Sequence, residues 1–214
     1  MKLDIILVLD FGGQYCHLIA RRIRENHVYS EIVPHDITPR EIQSLNERYN
    51  VKGLILSGGP QSVYAENAPK IRREILTLGI PVLGLCYGHQ LLAYLFGGEV
   101  KLAKTKEFGV TYATVVNHDL ILEGLGHTEK VWMSHGDTVF AVPEGFEVLA
   151  YTENTPVAAF KHRTKPIYGL QWHPEVIHTE NGMQMLQNFI FKICGCEPEW
   201  SMNCLLYTSP SPRD

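Results

Sequence analysis

The sequence has 214 residues, of which 45% are apolar and 20% charged, values typical of a soluble globular chain with one domain and at most a short appendage. This balance excludes global disorder. Lys and Arg total 19 against 23 Asp and Glu, so the net charge is −4 and no basic surplus is present to hold a nucleic-acid backbone. Five cysteines are too few for a disulfide scaffold in a chain of this length.

The N-terminus does not resemble a signal peptide, because Asp4 follows a single lysine and the short apolar run after it has no small-residue cleavage site. Residues 75–98 contain no Asp, Glu, Lys or Arg over a length that would span a bilayer. Pro81 and several glycines interrupt them, so they predict a buried strand, a turn and a buried helix. The sequence therefore predicts a soluble, cytoplasmic protein with reduced thiols and no membrane partner.

The first half of the sequence alternates apolar runs typical of buried strands with amphipathic helical segments. Thr38, Pro39 and Glu41 form a helix start, with a capping threonine, a proline at the first helical position and a glutamate that completes a capping box. The alternation predicts a parallel sheet with helices on both faces. The predicted strands are residues 4–10, 29–33, 51–56 and 81–85, and the predicted helices are residues 14–25, a segment starting at 39, residues 68–78 and a segment from 86 to about 97.

The second half contains short β-type runs, which predict added antiparallel strands and then a return to the main sheet. A final helix is predicted over residues 181–192. The fold class is therefore α/β, an open and mostly parallel sheet with helices on both faces and an added antiparallel region. The predicted strands of this half are residues 110–116, 130–133, 147–151, 157–160 and 167–171.

The chain end is unusual in composition. Residues 205–214 read L-L-Y-T-S-P-S-P-R-D, and this Ser-Pro repeat neither continues a helix nor offers a core to join. We interpret these residues as a non-native tail and exclude them from the fold argument.

Residues 84–88 read G-L-C-Y-G between a predicted strand and a predicted helix, the cysteine form of a nucleophile elbow. The glycines permit a turn tight enough to present Cys86 alone at the sheet edge. The N-terminus of the following helix favours a thiolate and supplies backbone N–H groups. A buried structural cysteine between two incidental glycines is the alternative from this motif alone.

A cysteine nucleophile needs a general base, and the base needs an orienting partner. His173 and Glu175 lie two residues apart in an extended segment, so they share a face, and the carboxylate can fix the imidazole tautomer. They follow the predicted strand at residues 167–171, which places them at the same sheet edge as Cys86. A surface His beside a surface Glu would explain the pair but not this placement.

Residues 57–60, S-G-G-P, form a second glycine-rich turn at a strand end. Such a loop leaves backbone N–H groups free for an anion, although a plain turn is the simpler interpretation of the loop by itself. Because both glycine-rich turns fall at the carboxyl edge of the predicted sheet, the amides of Gly59 and Tyr87 are candidates for a two-donor oxyanion hole.

Residues 134–137, S-H-G-D, are a polar cluster after a predicted strand. The cluster is either an ordinary turn or a clamp for a substrate with an amine and a carboxylate. In the clamp, Asp137 meets the amine, and the backbone around Ser134 and Gly136 meets the carboxylate.

The ten histidines do not have the spacing of a metal site, and the Cys194-Gly195-Cys196 pair lacks a second ligand pair. A phosphate-binding G-x-x-x-x-G-K-[ST] motif is missing as well, so we expect neither a metal nor ATP on this chain.

Together these motifs resemble the class I, triad-type glutamine amidotransferases, and within them the amidotransferase part of GMP synthases. The resemblance runs from about residue 5 to 202. The elbow and the H-P-E motif are shared across the class, whereas D-F-G-x-Q-Y, V-P-H-D and W-M-S-H-G-D point to the GMP synthase type. The segments that carry it are residues 9–15, 29–36, 56–64, 85–90, 131–137 and 171–179.

The resemblance implies a flavodoxin-like amidotransferase fold and a role for each matched residue. Glutamine would be hydrolysed to glutamate and ammonia through a cysteine thioester. Cys86 would be the nucleophile, with His173 and Glu175 completing the triad. Oxyanion amides would come from Gly59 and Tyr87, and the substrate contacts would be Gln90, Ser134, Gly136 and Asp137.

The resemblance also implies a partner. Ammonia would pass to an ATP-pyrophosphatase domain or subunit that converts xanthosine monophosphate to GMP and holds ATP and magnesium, while this chain carries no cofactor. Residues 1–193 would form the amidotransferase domain and residues 194–204 a junction toward the synthetase. Whether that synthetase is fused or separate stays open.

Three alternatives remain. The first is the amidotransferase of another synthase, such as anthranilate or carbamoyl-phosphate synthase, against which the GMP-type segments argue. The second is a stand-alone γ-glutamyl hydrolase or cysteine peptidase of related fold, which the clamp and the junction-like end disfavour. The third is a docking module without activity, which the intact triad disfavours.

Overall fold

A computed structural model describes residues 1–202 of the chain, so the predicted tail at 205–214 and the end of the predicted junction lie outside the described residues. The strands form a nine-stranded sheet in the order β2-β1-β3-β4-β9-β8-β7-β5-β6. Their bounds are β1 Leu3–Asp10, β2 Tyr29–Pro34, β3 Tyr49–Leu56, β4 Val82–Leu85, β5 Glu99–Val115, β6 Thr128–Ala141, β7 Phe146–Tyr151, β8 Ala159–His162 and β9 Ile167–Leu170.

The helices are α1 Cys16–Glu25, α2 Pro39–Arg48, α3 Tyr87–Leu95, α4 Asp119–Leu122 and α5 Gly182–Gln187, with a 3₁₀ helix at Arg73–Thr77 and a π-helical segment at Asn188–Ile193. The predicted start of α2 is confirmed. Thr38 accepts a hydrogen bond from the backbone N–H of Glu41, and the Glu41 side chain accepts one from the backbone N–H of Thr38. Within residues 1–202, no helix combines the length and the apolar character needed to cross a membrane.

The sheet has a parallel half and an antiparallel half. Strands β2, β1, β3, β4 and β9 run parallel, whereas β9, β8, β7, β5 and β6 pair antiparallel. The predicted return to the main sheet is confirmed, because β9 lies beside β4 in parallel register. The α/β fold class with an added antiparallel region is thus confirmed.

Two hydrophobic cores lie on opposite faces of the parallel half. Alternate residues of β1 contribute to each core: Ile6 packs into one, and Ile5 and Leu7 pack into the other. Helices α1 and α5 cover the first face, and α2 and α3 cover the second. A sheet covered on both faces explains the continuous apolar runs in these strands.

The predicted helix over residues 68–78 is wrong, because only a 3₁₀ helix at Arg73–Thr77 forms there. Ile71 and Ile75 are both buried and lie four residues apart, the spacing that mimics a helix. Arg72 between them has an extended backbone, and the carbonyl of Pro69 accepts a hydrogen bond from the Tyr87 hydroxyl. Tertiary contacts therefore bury this segment without a helix.

Strands β5 and β6 are longer than predicted and form a paired ribbon. Residues 134–137, for which an ordinary turn was one interpretation, lie inside β6 opposite residues of β5. Strand geometry sends Ser134 and His135 to opposite faces of the ribbon.

Candidate active site

Cys86 occupies the turn between β4 and α3 in a strained backbone conformation, with φ +52° and ψ −105°. This left-handed φ is unfavourable for a residue with a side chain. The flanking glycines allow the turn. A Cβ on Gly84 would lie 2.4 Å from the carbonyl oxygen of Gly88, and a Cβ on Gly88 would lie 2.6 Å from the Cβ of Leu56. Since larger side chains do not fit at either position, the elbow geometry depends on both glycines.

The pairing of β4 with β9 brings Cys86 to the segment that carries His173. The Cys86 backbone N–H donates to the carbonyl of Leu170, the last residue of β9. The Cys86 thiol lies 3.5 Å from the carbonyl oxygen of Ser134 and 3.7 Å from Nε2 of Gln171. Helix α3 begins directly after Cys86, so the N-terminus of the helix lies at this residue.

His173 lies between a buried carboxylate and the thiol. Its Nδ1 is 2.7 Å from Oε1 of Glu175, and both side chains are buried. Burial by itself would lower the pKa of His173. The negative charges of Glu175 and Cys86, together with hydrogen bonds to both, outweigh burial and hold that pKa well above its usual value of 6.5. The ring therefore favours the imidazolium form.

The carboxylate of Glu175 contacts His173 through one of its two oxygens. Within residues 1–202, its second carboxylate oxygen, Oε2, is buried without a hydrogen-bond partner. The backbone carbonyl of Glu175 accepts a hydrogen bond from Nε of Arg22 at 2.9 Å, which ties the segment to α1. On the other side, the Tyr15 ring meets the His173 ring edge-on, with centroids 5.3 Å apart.

The glycine loop after β3 packs directly against these side chains. A Cβ on Gly58 would lie 3.2 Å from Cε1 of His173 and 3.7 Å from the Cβ of Cys86. A Cβ on Gly59 would lie 2.5 Å from the carbonyl oxygen of Phe11, so this position too excludes a side chain. The loop backbone can therefore approach a small molecule held at Cys86.

Tyr87 occupies the first position of α3, where the backbone N–H has no partner within the helix. Its side chain points away from the site. The Tyr87 hydroxyl bonds to the carbonyl of Pro69, and its ring packs on Phe11 with centroids 5.4 Å apart. Only the backbone amide of Tyr87 is available to a substrate.

A cavity of about 550 Å³ opens beside Cys86. Seven of the nine predicted site residues line it: Gly59, Cys86, Gln90, Ser134, Gly136, Asp137 and His173. Glu175 and Tyr87 lie behind this first layer. The volume and the mixed polar lining suit a small polar metabolite.

Gln90 is buried and uses its side-chain amide within the protein. Its Nε2 donates to the carbonyl of Asp137 at 2.9 Å and to Oε1 of Gln171 at 3.2 Å. Gln90 thus anchors β6 to α3. The Asp137 carboxylate accepts a hydrogen bond from the hydroxyl of Tyr64 at 2.7 Å.

Sequence reasoning assigned no role to several residues that contact the site. Tyr15 and Gln171 lie in segments that carried the family resemblance, so the resemblance was a signal for them. His135 lies in such a segment too, and its Nε2 is 2.9 Å from Oε2 of Glu107. Glu107 gave no such signal, because it meets His135 only through the pairing of β5 with β6. Tyr64 ends another of these segments, although periodicity does not predict that its loop reaches the site.

Within the part of the chain that the structure describes, no group of three or more His, Cys, Asp or Glu side chains is arranged to hold a metal ion. The charged and thiol groups around the cavity instead form a cysteine–histidine–glutamate array. Such an array supports acyl transfer by covalent catalysis.

Comparison of this chain with known proteins identifies its family. A family model described as glutamine amidotransferase class-I matches residues 7–193. GMP synthases (glutamine-hydrolyzing) from Caldicellulosiruptor saccharolyticus and Brachyspira hyodysenteriae are 50% and 47% identical over 96% of this chain. The chain spans only about two fifths of the length of these relatives, 40% and 39% respectively.

A solved structure agrees with this assignment. A protein from Thermoplasma acidophilum, described as one of the subunits of a GMP synthase, is 36% identical and superimposes with a TM-score of 0.77, covering 91% of this chain and 94% of that one. A glutamine amidotransferase from Thermotoga maritima, 20% identical with a TM-score of 0.64, shares the fold. The chain therefore belongs to the class-I glutamine amidotransferase family.

Proposed function

We propose that this chain hydrolyses glutamine to glutamate and ammonia through a thioester on Cys86. The observation that carries the proposal is the buried array of Cys86, His173 and Glu175 at the wall of a cavity lined by loop and strand backbone. Membership of the class-I glutamine amidotransferases supports the same chemistry.

In the first half of the reaction, the Cys86 thiolate attacks the side-chain amide carbon of glutamine and forms a C–S bond. The backbone N–H groups of Gly59 and Tyr87 hold the resulting oxyanion, and each such donor is worth about 3 kcal/mol in other acyl-transfer enzymes. The His173 imidazolium donates its proton to the amide nitrogen. The C–N bond then breaks, and ammonia leaves.

In the second half, neutral His173 removes a proton from a water molecule, which attacks the thioester carbon. The C–S bond breaks, glutamate leaves, and Cys86 returns as a thiolate facing the His173 imidazolium. Glu175 stabilises the imidazolium and keeps Nε2 directed at the reaction centre. Bound glutamine would be held by its α-ammonium on Asp137, with its carboxylate against the backbone around Ser134 and Gly136.

We further propose that the ammonia is used to make GMP. The relatives named GMP synthase (glutamine-hydrolyzing) support this, because they are 47% and 50% identical to this chain, which spans two fifths of their length. The receiving part would be an ATP-pyrophosphatase domain or subunit that converts xanthosine monophosphate to GMP with ATP and magnesium. The free thiols of Cys16, Cys86, Cys194 and Cys196 are consistent with the cytoplasm.

The test measures ammonia release from glutamine by the chain alone, and then with a GMP-type synthetase, xanthosine monophosphate and ATP. We expect release that the synthetase stimulates, with GMP formed, and we expect Cys86→Ala to be inactive while it keeps its circular dichroism spectrum. Ammonia release that the synthetase does not stimulate would support glutamine hydrolysis but reject the proposal that the ammonia is used to make GMP. Full activity in Cys86→Ala would reject the thioester.

A further inference from the structure

Tyr64 connects the loop after β3 to strand β6 by a single hydrogen bond. Its hydroxyl donates to Oδ1 of Asp137 at 2.7 Å. Tyr64 belongs to the loop after β3 that carries Gly59, whereas Asp137 belongs to β6 on the opposite wall. The Tyr64 ring is 45% exposed, and its link to the cavity is the bond to Asp137, which lines it.

The backbone on each side of this bond is fixed. Val63, next to Tyr64, is fully buried in the core beneath the loop. The carbonyl of Asp137 accepts two hydrogen bonds, from Nε2 of Gln90 at 2.9 Å and from Nδ1 of His135 at 2.7 Å. The main freedom left to Asp137 is rotation of its carboxylate, and the Tyr64 hydroxyl fixes that rotation.

The bond leaves half of the carboxylate for a ligand. Within residues 1–202, no other protein hydrogen bond to the Asp137 carboxylate is present, so Oδ2 is open to a cationic group in the cavity. The hydrogen bond to Asp137, with a smaller effect of burial, raises the pKa of Tyr64 above 10. Tyr64 therefore stays a protonated donor at neutral pH.

We propose that Tyr64 is a positioning residue for recognition of the α-ammonium group of glutamine, acting by aiming the Asp137 carboxylate at it. The inference rests on the proposed function, because it takes glutamine as the ligand. It adds a determinant of specificity for α-amino substrates and places it on the same loop as the oxyanion amide of Gly59.

The test compares two ligands in a chain that binds without turnover. In a Cys86→Ala background, calorimetry measures binding of L-glutamine and of 4-carbamoylbutanoate, which is glutamine without its α-amino group. We expect Tyr64→Phe to weaken glutamine binding by roughly tenfold, the loss typical of one charge-assisted hydrogen bond, and to leave binding of the analogue within about twofold. Asp137→Asn in the same background is expected to remove the preference for glutamine.

The matched control is Tyr94→Phe, because Tyr94 is 37% exposed and its ring meets Lys70 rather than a residue that lines the cavity. It should change neither affinity. Equal weakening of both ligands by Tyr64→Phe would mean that Tyr64 supports the cavity without distinguishing the α-amino group, and unchanged affinities would give it no part in recognition. Either result overturns the proposal.

A kinetic readout in the Cys86 chain separates the two proposals. There Tyr64→Phe should raise KM for glutamine about tenfold and leave kcat within about twofold, because the bond aims a binding group and does not touch the reacting atoms. A chain that binds glutamine selectively but releases no ammonia would reject the proposed function and still support Tyr64. If the chain releases ammonia and Tyr64→Phe leaves KM for glutamine unchanged, the proposed function is supported and the role of Tyr64 is rejected.

Discussion

At the scale of single residues, the protonation of His173 depends on Glu175. Burial disfavours the imidazolium, and only the anionic neighbours reverse that effect. Replacement of Glu175 by Gln keeps a hydrogen-bond acceptor near Nδ1 but removes the charge, so the pKa of His173 should fall. We expect glutaminase kcat/KM to drop by at least about a hundredfold, since loss of the orienting carboxylate in a serine protease triad costs more than that.

The measurement for this prediction is a titration of His173 by ¹⁵N-histidine NMR, alongside kcat/KM. Glu180→Gln is the matched control, because Glu180 is exposed and lies on the same segment. The contrary outcome is a His173 titration that does not move in Glu175→Gln.

The same pKa makes a prediction for stability. Because the pKa of His173 is higher in the folded chain than in the unfolded chain, protonation of His173 stabilises the fold. This contribution is complete below pH of about 6.5 and is lost as the pH rises through the pKa of the folded state. The stability advantage of the parent chain over Glu175→Gln should therefore shrink toward alkaline pH.

At the scale of elements, the elbow is held by close approach of the strands and α3. A Cβ on Gly88 would meet the Cβ and the carbonyl oxygen of Leu56, both at 2.6 Å, so the helix start would have to move away from β3. We expect Gly88→Ala to lower the free energy of unfolding by roughly 1–3 kcal/mol, as other overpacked sites do, and to abolish glutamine hydrolysis.

Chemical denaturation and ammonia release check this prediction, with Gly126→Ala as the control. A Cβ on Gly126, which is exposed, would have its nearest neighbour at 3.4 Å, Oε1 of Glu129, an ordinary van der Waals contact. That substitution should stay within about 0.5 kcal/mol, as exposed positions usually do. If Gly88→Ala lowered the free energy of unfolding no more than Gly126→Ala, the turn at Cys86 would tolerate a Cβ that its geometry excludes.

How far the sequence predicts these elements depends on where each signal resides. The continuous apolar runs of β1 and β3 predict buried strands directly from sequence, because both faces of the sheet are covered. The capping box of α2 is complete within four residues of sequence. In contrast, the length of β6 arises from its pairing with β5, a contact between distant segments that local patterning does not contain. The segment around Ile71 was misassigned because burial at helical spacing does not require a helix.

The candidate site divides in the same way. Cys86, His173 and Glu175 were predicted because each lies in a motif at a strand end, and their geometry is consistent with the predicted roles. Tyr64 and Glu107 were not predicted, since their partners are reached only through the fold. Sequence thus identifies reacting groups more readily than the groups that position them.

At the scale of the whole molecule, a buried polar network connects the antiparallel half to the cavity. Both ring nitrogens of His135 face acceptors, Nδ1 the carbonyl of Asp137 and Nε2 the carboxylate of Glu107. These two contacts hold the ring between β5 and the next residues of β6. Glu107 also accepts hydrogen bonds from the hydroxyls of Thr152, at 2.8 Å, and Thr155, at 2.6 Å, which lie between β7 and β8. The wall of the cavity at Asp137 is thereby tied to the far half of the sheet.

This network predicts a large effect of Glu107→Gln. Burial by itself would raise the pKa of Glu107, but hydrogen bonds from His135, Thr155 and Thr152 outweigh it, and the pKa is lowered below 4.5. A carboxylate whose pKa is lower in the folded than in the unfolded chain stabilises the fold at pH values above its unfolded-state pKa. That contribution is lost as the pH falls through its folded-state pKa. Glu107→Gln removes the charge opposite His135, so we expect a loss of about 3–5 kcal/mol near neutral pH, the usual cost of breaking a buried pair.

Chemical denaturation from pH 3 to pH 8 measures this loss, and the difference from the parent chain should narrow toward the acidic end. Glu99→Gln is the control, because Glu99 pairs with Lys101 at the surface and should contribute within about 1 kcal/mol. Because Glu107 holds His135, and His135 holds the carbonyl of Asp137, the variant should also raise KM for glutamine. A stable Glu107→Gln chain with unchanged KM would mean that the strand holds Asp137 without the network, and that the antiparallel half only encloses the cavity.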